Sequence, residues 1–329
     1  MNASTYHETK KAGTDGPPLV TVIIPNWNGA DLLPTCLDAL RQQTFRDLHI
    51  LVVDNASTDA SVELIRVRYP GVEVIHLSKN VFFSGAVNEG IRQSQSPLAA
   101  LLNNDTEAEP EWLEELVTAL ERNPQAGMAA SKMLLFDRRN VLNSTGDFYG
   151  VDGIPGNRGI WERDEGQYDS QTQVFGACAG AALYRRSVLE DIGLFDEDFV
   201  GYCEDVDLSF RAQLAGYQCI FAPRARVYHR LSATGGGPKA SYLCGRNFIN
   251  VIVKNMPGSL IRRHRKKLLA AQLAYVRQSV THMCEAAARA RLWGQLSSLF
   301  QLRRMLKKRH TIQAGRRVTD DYIESILRQ

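Results

Sequence analysis

Four groups of residues in this chain are of types that do chemistry. Asp105 closes the run Leu98-Ala99-Ala100-Leu101-Leu102-Asn103-Asn104-Asp105. A carboxylate at the end of a buried strand is costly unless partnered. Hard divalent cations such as Mg2+ or Mn2+ take one or two such carboxylates together with substrate phosphates. The structural alternative for Asp105 is a turn or cap residue ahead of Pro110. Asp54 ends His49-Ile50-Leu51-Val52-Val53, where an acid can accept hydrogen bonds from a ribose or a base N–H, or form an Asx-turn with the Ser57-Thr58-Asp59 that follows. Glu204-Asp205-Val206-Asp207 places three acids in four residues at a helix start. Acids there satisfy free N–H groups and the helix dipole, or supply a general base with its supporting acid. His229 follows Val227-Tyr228 at a strand end, as a metal ligand or a structural residue.

These groups require elements that bring them together. Four apolar runs in the first third each stop at polar residues: Val20–Ile24 at Pro25-Asn26, His49–Val53 at Asp54-Asn55, Val72–Leu77 near Lys79-Asn80, and Leu98–Leu102 at Asn103-Asn104-Asp105. Helical spacing follows each of them, over Asp31–Gln43, Thr58–Tyr69, Ser84–Gln93 and Glu111–Arg122. A βαβ series implies a parallel sheet with right-handed crossovers, so the four polar ends converge on one edge, where such folds bind ligands. After Asn123 the expected elements are a strand over Gly127–Lys132, a long loop or irregular hairpin over Gly146–Tyr168, and a small-residue strand over Val174–Tyr184. Next come helices over Ser187–Ile192 and Asp205–Ala215, short strands over Gln218–Ala222 and Arg226–His229, and a hinge at Gly235-Gly236-Gly237-Pro238. From Ser241 the pattern is helical, interrupted at Pro257-Gly258.

Composition excludes several classes. No apolar run approaches the ~18 residues of a membrane span, and residues 1–18 read as a disordered polar leader. None of the six cysteines forms a CxxC pair, which argues against zinc and for reduced thiols. Pro25-Asn26-Trp27-Asn28-Gly29 lacks the glycines of a dinucleotide fingerprint, and there is no Walker-type run. The net charge of +3 hides an asymmetry. From Lys254 onward there are 17 Lys and Arg against four Asp and Glu, or +13, whereas residues 1–253 carry 22 against 32, or −10. Basic clusters at Arg262–Lys267 and Arg303–Arg309 flank Leu268, Leu269, Leu273, Trp293, Leu296 and Phe300. A basic amphipathic segment of this kind suits an anionic membrane surface, or it packs on the acidic body or on a second copy. No nucleic-acid motif accompanies it, and nucleic acid is not an expected partner.

Taken together, these segments resemble the family 2 glycosyltransferases, which have the GT-A fold. The matching segments are Val22–Asn28, Val52–Asp59, Asn80 with Gly85–Gly90, Leu102–Asp105, and Gly193–Asp196 followed by Glu204–Leu208, continuing through Arg211, Ala215-Gly216-Tyr217 and His229. The resemblance covers about Leu19 to Asn250 and is similar in detail to the rhamnosyltransferase-type branch that builds bacterial surface polysaccharides. It implies an α/β fold with a mixed, mainly parallel sheet flanked by helices. The catalytic domain would run over 19–250, with a basic helical extension over 251–329.

The resemblance also implies roles. Pro25, Asn26 and Asn28 would line the nucleotide pocket, Asp54 would contact the pyrimidine base, and Asn80 and Asn88 would lie near the nucleotide. Asp105 would hold the metal that bridges the donor diphosphate, with His229 a further ligand. Asp205 would be the catalytic base and Glu204 would hold the acceptor. Gly180 and Ala181 would border the donor sugar. Many members carry Asp-x-Asp where this chain has Asn103-Asn104-Asp105, so one acid remains. The implied reaction is an inverting transfer of a sugar from a nucleotide-sugar donor to a saccharide or lipid-linked acceptor, dependent on Mg2+ or Mn2+. The branch points to dTDP-rhamnose, with UDP-hexoses or UDP-galactofuranose behind it, and a non-catalytic nucleotide-sugar-binding scaffold is the alternative class. The expected location is the cytoplasm, with the tail on the inner face of the membrane. Homo-oligomerisation stays open.

Overall fold

The computed structural model describes residues 16–231, 233 and 236–329. Most of the expected leader and Gly235 of the expected hinge lie outside the described residues. The chain opens as β1 (Val20–Asn26), α1 (Leu33–Arg41), β2 (Leu48–Asp54), α2 (Ser61–Arg68), β3 (Glu73–His76), α3 (Phe82–Gln93), β4 (Leu98–Leu102), β5 (Thr106–Ala108) and α4 (Trp112–Arg122). It continues as β6 (Ala126–Leu135), β7 (Leu142–Ser144), β8 (Asp147–Tyr149), β9 (Pro155–Asn157), β10 (Gln173–Val174), β11 (Ala181–Arg185) and α5 (Arg186–Ile192). A 3-10 turn over Glu197–Phe199 leads to α6 (Glu204–Leu214), β12 (Gln218–His229), α7 (Gly237–Asn255), α8 (Gly258–Thr281), α9 (Ala286–Ala314) and α10 (Asp320–Ile326).

The main sheet runs β10-β12-β6-β11-β4-β1-β2-β3. Strands β1, β2, β3 and β4 are mutually parallel, and β11 is antiparallel between β4 and β6. All five residues of β4 are buried, as a strand covered by helices on both faces must be. One core layer joins Val22, Ile24, Val52 and Ala100 to α1 and α4. The other joins Ile23, Val53 and Leu101 to α3, α5 and α6. Helix α4 shows why the pattern folds as it does. Trp112, Leu113, Leu116, Val117 and Leu120 all face inward, and the Trp112 indole N–H donates to Ser131 Oγ at 2.8 Å.

Three expectations need correction. The stretch 174–184 is two strands, β10 on the sheet edge with β12 and β11 between β4 and β6. The small residues between them carry Ala179 N to within 3.2 Å of Asp205 Oδ2. Conversely, 218–229 is one strand, whose register against β6 shifts between Ala222 and Arg226, around Pro223. A strand Pro removes a ladder donor and is accommodated at such an irregularity. The boundary expected at residue 250 falls inside α7. There Val251, Met256, Leu260, Leu268, Ile323 and Leu327 share a core with Tyr149, Phe175, Phe199 and Phe210, so the helical extension is packed into the body. The strands β5 and β7, three residues each, have no period a sequence reading can detect.

Candidate active site

The ends of β1, β2 and β4 are tied by side-chain amides and acids. Asn26, buried at the end of β1, donates from Nδ2 to Asp54 Oδ1 at 3.2 Å and accepts at Oδ1 from Asn104 Nδ2 at 2.8 Å. Asp54 Oδ2 accepts from Ser57 N at 3.1 Å and pairs with His76 Nδ1 at 2.8 Å. About four lone-pair sites are available on a carboxylate, and three are used here on a fully buried side chain. Asp54 therefore forms the Asx-turn and locks three strand ends into a platform. Asn28, at φ 51, accepts from Thr58 N at 2.7 Å and receives Ser57 Oγ against its own N–H at 2.8 Å. A Cβ on Gly29 would stand 2.3 Å from both Asn26 Oδ1 and Asn104 Nδ2, so only glycine lets the loop cross that platform. Pro25 sits beside Val53 in the ladder, with its ring partly exposed. Asn80 caps the next loop, accepting from Phe82 N at 2.8 Å. Asn88 sits elsewhere. Its amide exchanges hydrogen bonds with both backbone groups of Phe195 and donates to Glu197 Oε1 at 3.0 Å, which pins α3 to the turn before α6.

At the end of β4, Asn103 N donates to Gly180 O at 2.9 Å, and Ala181 begins β11 opposite Leu102. A Cβ on Gly180 would meet Met133 Cε and Asn103 Nδ2 at 3.2 and 3.3 Å. Asp105 comes next, and β5 immediately after it pairs antiparallel with the end of β12, with His229 opposite Thr106. This pairing carries His229 Nε2 to 3.4 Å from Asp105 Oδ1. The other ring nitrogen, Nδ1, lies 2.8 Å from Asn143 Oδ1, which fixes the orientation of the ring. A histidine oriented by a second hydrogen bond is how metal-ligating imidazoles are held. An oxygen and a nitrogen donor suit Mn2+ or Mg2+ if a diphosphate completes the shell. No group of three His, Cys, Asp or Glu able to hold a metal occurs among the described residues.

The second half of the site is built by α6. Val200, Tyr202 and Cys203 all hold positive φ just before it, a conformation that is strained for β-branched and bulky side chains. Asn247 of α7 stabilises the strain. Its Nδ2 donates to the carbonyls of Phe199, Gly201 and Tyr202 at 3.0, 3.1 and 2.7 Å, while Arg246 Nη2 reaches Asp198 O and Phe199 O. The turn delivers Glu204 and Asp205 to the helix N-terminus. Asp205, partly exposed, accepts from Val206 N at 2.8 Å and from Ala179 N at 3.2 Å. Burial pushes its carboxyl above the usual carboxylate range, against the pull of those N–H groups. Glu204 is buried with Oε2 unpartnered; burial first and then Asp205 push its carboxyl well above the usual range. Asp147, from β8, faces the same pair and is pushed up by burial and by Asp205, with Asn157 donating to it at 2.8 Å.

Sequence reasoning missed Asp147, His76, Asn143, Arg246 and Asn247. A buried Arg-Asn pair within an apolar helix face was the available signal for the last two. The others carry no pattern until the strands are placed.

The sequence profile of glycosyl transferase family 2 matches residues 21–193, more than half of the chain. The chain belongs to glycosyl transferase family 2. Among curated relatives it is 30% identical over 244 residues to the O-antigen biosynthesis protein RfbC of Myxococcus xanthus, covering 69% of this chain and 19% of RfbC. It is 28% identical over 256 residues to the N-acetylglucosaminyl-diphospho-decaprenol L-rhamnosyltransferase of Mycobacterium tuberculosis, covering 71% of this chain and 82% of that enzyme. The chain thus spans about a fifth of the length of the first relative and most of the second. Among solved structures, GalNAc-T7 with UDP, GalNAc and Mn2+ superposes with a TM-score of 0.66 at 14% identity, over 95% of this chain and 57% of that one. The fold is that of the GT-A glycosyltransferases, as the sequence motifs imply.

Proposed function

We propose that this glycosyltransferase moves a sugar from a pyrimidine nucleotide-sugar, dTDP-rhamnose first among the candidates, to a saccharide or lipid-linked saccharide acceptor in surface-polysaccharide synthesis. The observation that carries the reading is the acid pair at the start of α6, Asp205 partly open to solvent and Glu204 buried, without a cationic partner among the described residues. Binding alone gives no reason to bury like charges together; a base poised above the ordinary carboxylate range does. In the reaction Asp205 takes the proton from an acceptor hydroxyl as that oxygen displaces the nucleoside diphosphate at the anomeric carbon, inverting it. Glu204 orients the acceptor, and the Asp147 carboxyl facing it adds to the repulsion that keeps the Glu204 proton in place. The platform of Asn26, Asn28, Asp54 and Asn104 presents the loops that receive the nucleotide, and Gly180 and Ala181 leave room beside it. Asp105 and His229 would hold a divalent cation, which supplies charge neutralisation for the departing diphosphate. The relative that transfers rhamnose and the Mn2+ of the solved neighbour support this assignment.

The test is a thermal-shift screen with dTDP, UDP and GDP sugars, each with and without Mn2+. One pyrimidine nucleotide-sugar should raise the melting temperature, and Asp105→Ala should abolish the metal-dependent part of the shift. Silence from every donor in folded protein would remove the reading.

Membrane contact belongs to the same proposal. Among the described residues no helix is long and apolar enough to cross a membrane. Helix α8 exposes Arg262, Lys266, Leu269, Leu273, Arg277 and Val280 at helical spacing, and α9 exposes Trp293, Leu296, Phe300, Arg303 and Lys307. Phe300 is 86% exposed and Trp293 62%, too large an apolar face to leave in water without a partner. A second copy meeting this face with its own would bring like charge against like, so an anionic lipid surface is the better complement. In flotation, phosphatidylglycerol vesicles should carry the wild type, pure phosphatidylcholine should not, and Phe300→Glu should release it. Binding that ignores Phe300→Glu, or a dimer that buries Trp293 instead, would overturn the assignment.

A further inference from the structure

Helices α7, α8 and α9 line a cavity of about 200 Å³. It lies beside the close crossing of α7 and α9, where a Cβ on Gly294 would stand 2.1 Å from Tyr242 O and one on Gly245 2.4 Å from Arg291 O. The walls are Cys244 and Phe248 from α7, Gln272 and Tyr275 from α8, and Arg291 and Gln295 from α9. Phe248 and Tyr275 pack edge to face at 5.8 Å, and the Arg291 guanidinium lies 5.5 Å over the Tyr275 ring.

Two buried polar atoms on this wall lack partners. Gln295 donates from Nε2 to Gln272 Oε1 and to Gln272 O, which leaves Gln295 Oε1 and Gln272 Nε2 without hydrogen bonds. Gln295 is 7% exposed, so its carbonyl oxygen is paid no compensation by bulk water. Leaving such atoms unsatisfied costs about 1–3 kcal/mol each. A donor and an acceptor on adjacent amides match the two roles of a hydroxyl group, and an aromatic edge beside them matches the C–H face of a sugar. The volume is below the ~300–1,000 Å³ of sites for larger ligands, so it suits a single ring. The cavity shares α7 with the acids' support: Asn247, next to the wall residue Phe248, donates to the carbonyls of Phe199, Gly201 and Tyr202 in the turn that leads into Glu204.

We propose that this cavity binds a sugar ring of the acceptor that does not itself react, held by Gln272 and Gln295 so that the neighbouring sugar presents its hydroxyl to Asp205. The inference rests on the transferase reading. It assigns to the helical extension a share in acceptor choice, which neither the basic tail nor the strand-edge motifs announce.

The test uses the full chain and three probes, the methyl glycosides of N-acetylglucosamine, rhamnose and galactose, followed by saturation-transfer NMR with and without excess dTDP. At least one glycoside should give a signal that survives dTDP. Gln295→Met and Gln272→Met should each weaken it about tenfold, the loss of roughly 1.4 kcal/mol of hydrogen bonding. Both swaps replace an amide by a chain of similar shape, and thermal unfolding confirms that each variant is folded. No signal from any glycoside, a signal displaced by dTDP, or a signal unchanged in both variants would overturn the proposal. Nucleotide release from donor is followed in parallel. Turnover without glycoside binding at Gln272 and Gln295 removes the cavity alone, whereas absent turnover and absent donor binding remove the transferase reading.

Discussion

Asp205 and Asp207 stand two residues apart on one helix, and their surroundings differ in every respect that matters. Asp207 is fully buried against Arg211 Nε at 3.0 Å, Lys254 Nζ at 2.6 Å and Asn255 Nδ2 at 2.8 Å. Lys254 also meets Asp196 at 2.6 Å, and Lys308 and Arg304 complete the set against Asp196 and Asp198 at 2.5 Å. Burial alone would raise the Asp207 carboxyl, and Lys254 and Arg211 overcome it and hold the group low. Asp205, Glu204 and Asp147 have no cation within ion-pair distance among the described residues, and burial pushes all three up. One cluster is fully paired with cations, and the other meets none among the described residues, as the proposed proton transfer requires. The basic tail draws the line between them, since Lys254, Arg304 and Lys308 reach only the first cluster.

The sharpest way to break this contrast is to neutralise its two halves separately. Asp205→Asn should lower sugar transfer by about 10²–10⁴-fold and leave the melting temperature near that of wild type, read by nucleotide release and by calorimetry on the same protein. Full activity in that variant would end the base assignment. Lys254→Met should do the reverse in kind. It strands Asp207 and Asp196 and should cost about 3–5 kcal/mol in unfolding free energy, so that a small effect would mean Arg211 and Lys308 carry the cluster alone.

The pH dependence separates the clusters further. Asp207 and Asp196 are held below their unfolded values, so the stability they contribute is present above about pH 4 and is lost as pH falls. Glu204 and Asp147 are held above theirs, so their contribution is full below about pH 4 and is lost as pH rises through the raised values. Glu204→Gln should therefore match wild type at pH 4 and exceed it at pH 9, by about 1–3 kcal/mol. Equal stability at both ends would show that Glu204 is solvated and not poised.

Much of this site could be read before the strands were placed, and the reason is local. Asp54, Asp105 and the acids at 204–207 all stop an apolar run or open a helix, so their chain positions already imply a common edge. Asn88 carries no such mark. It lies inside α3, and only the packing of that helix on Phe195 shows that its amide is consumed there. Asp147 and Asn143 sit in a stretch with little periodicity, and their approach to Asp205 and His229 depends on β7 and β8, each only three residues long.

The sequence by itself determined the parallel half of the sheet, because alternating apolar runs and helical faces have one right-handed way to assemble. It also determined which end of that sheet carries polar groups, and that the last third of the chain is basic. Tertiary structure decided the rest. Whether an acid is structural or reactive depends on cations that arrive from far along the chain, and charge interactions act through space at distances that no spacing encodes. Lys254 and Lys308 reach Asp196 and Asp207 and pass over Asp205, and nothing in the order of residues shows that choice.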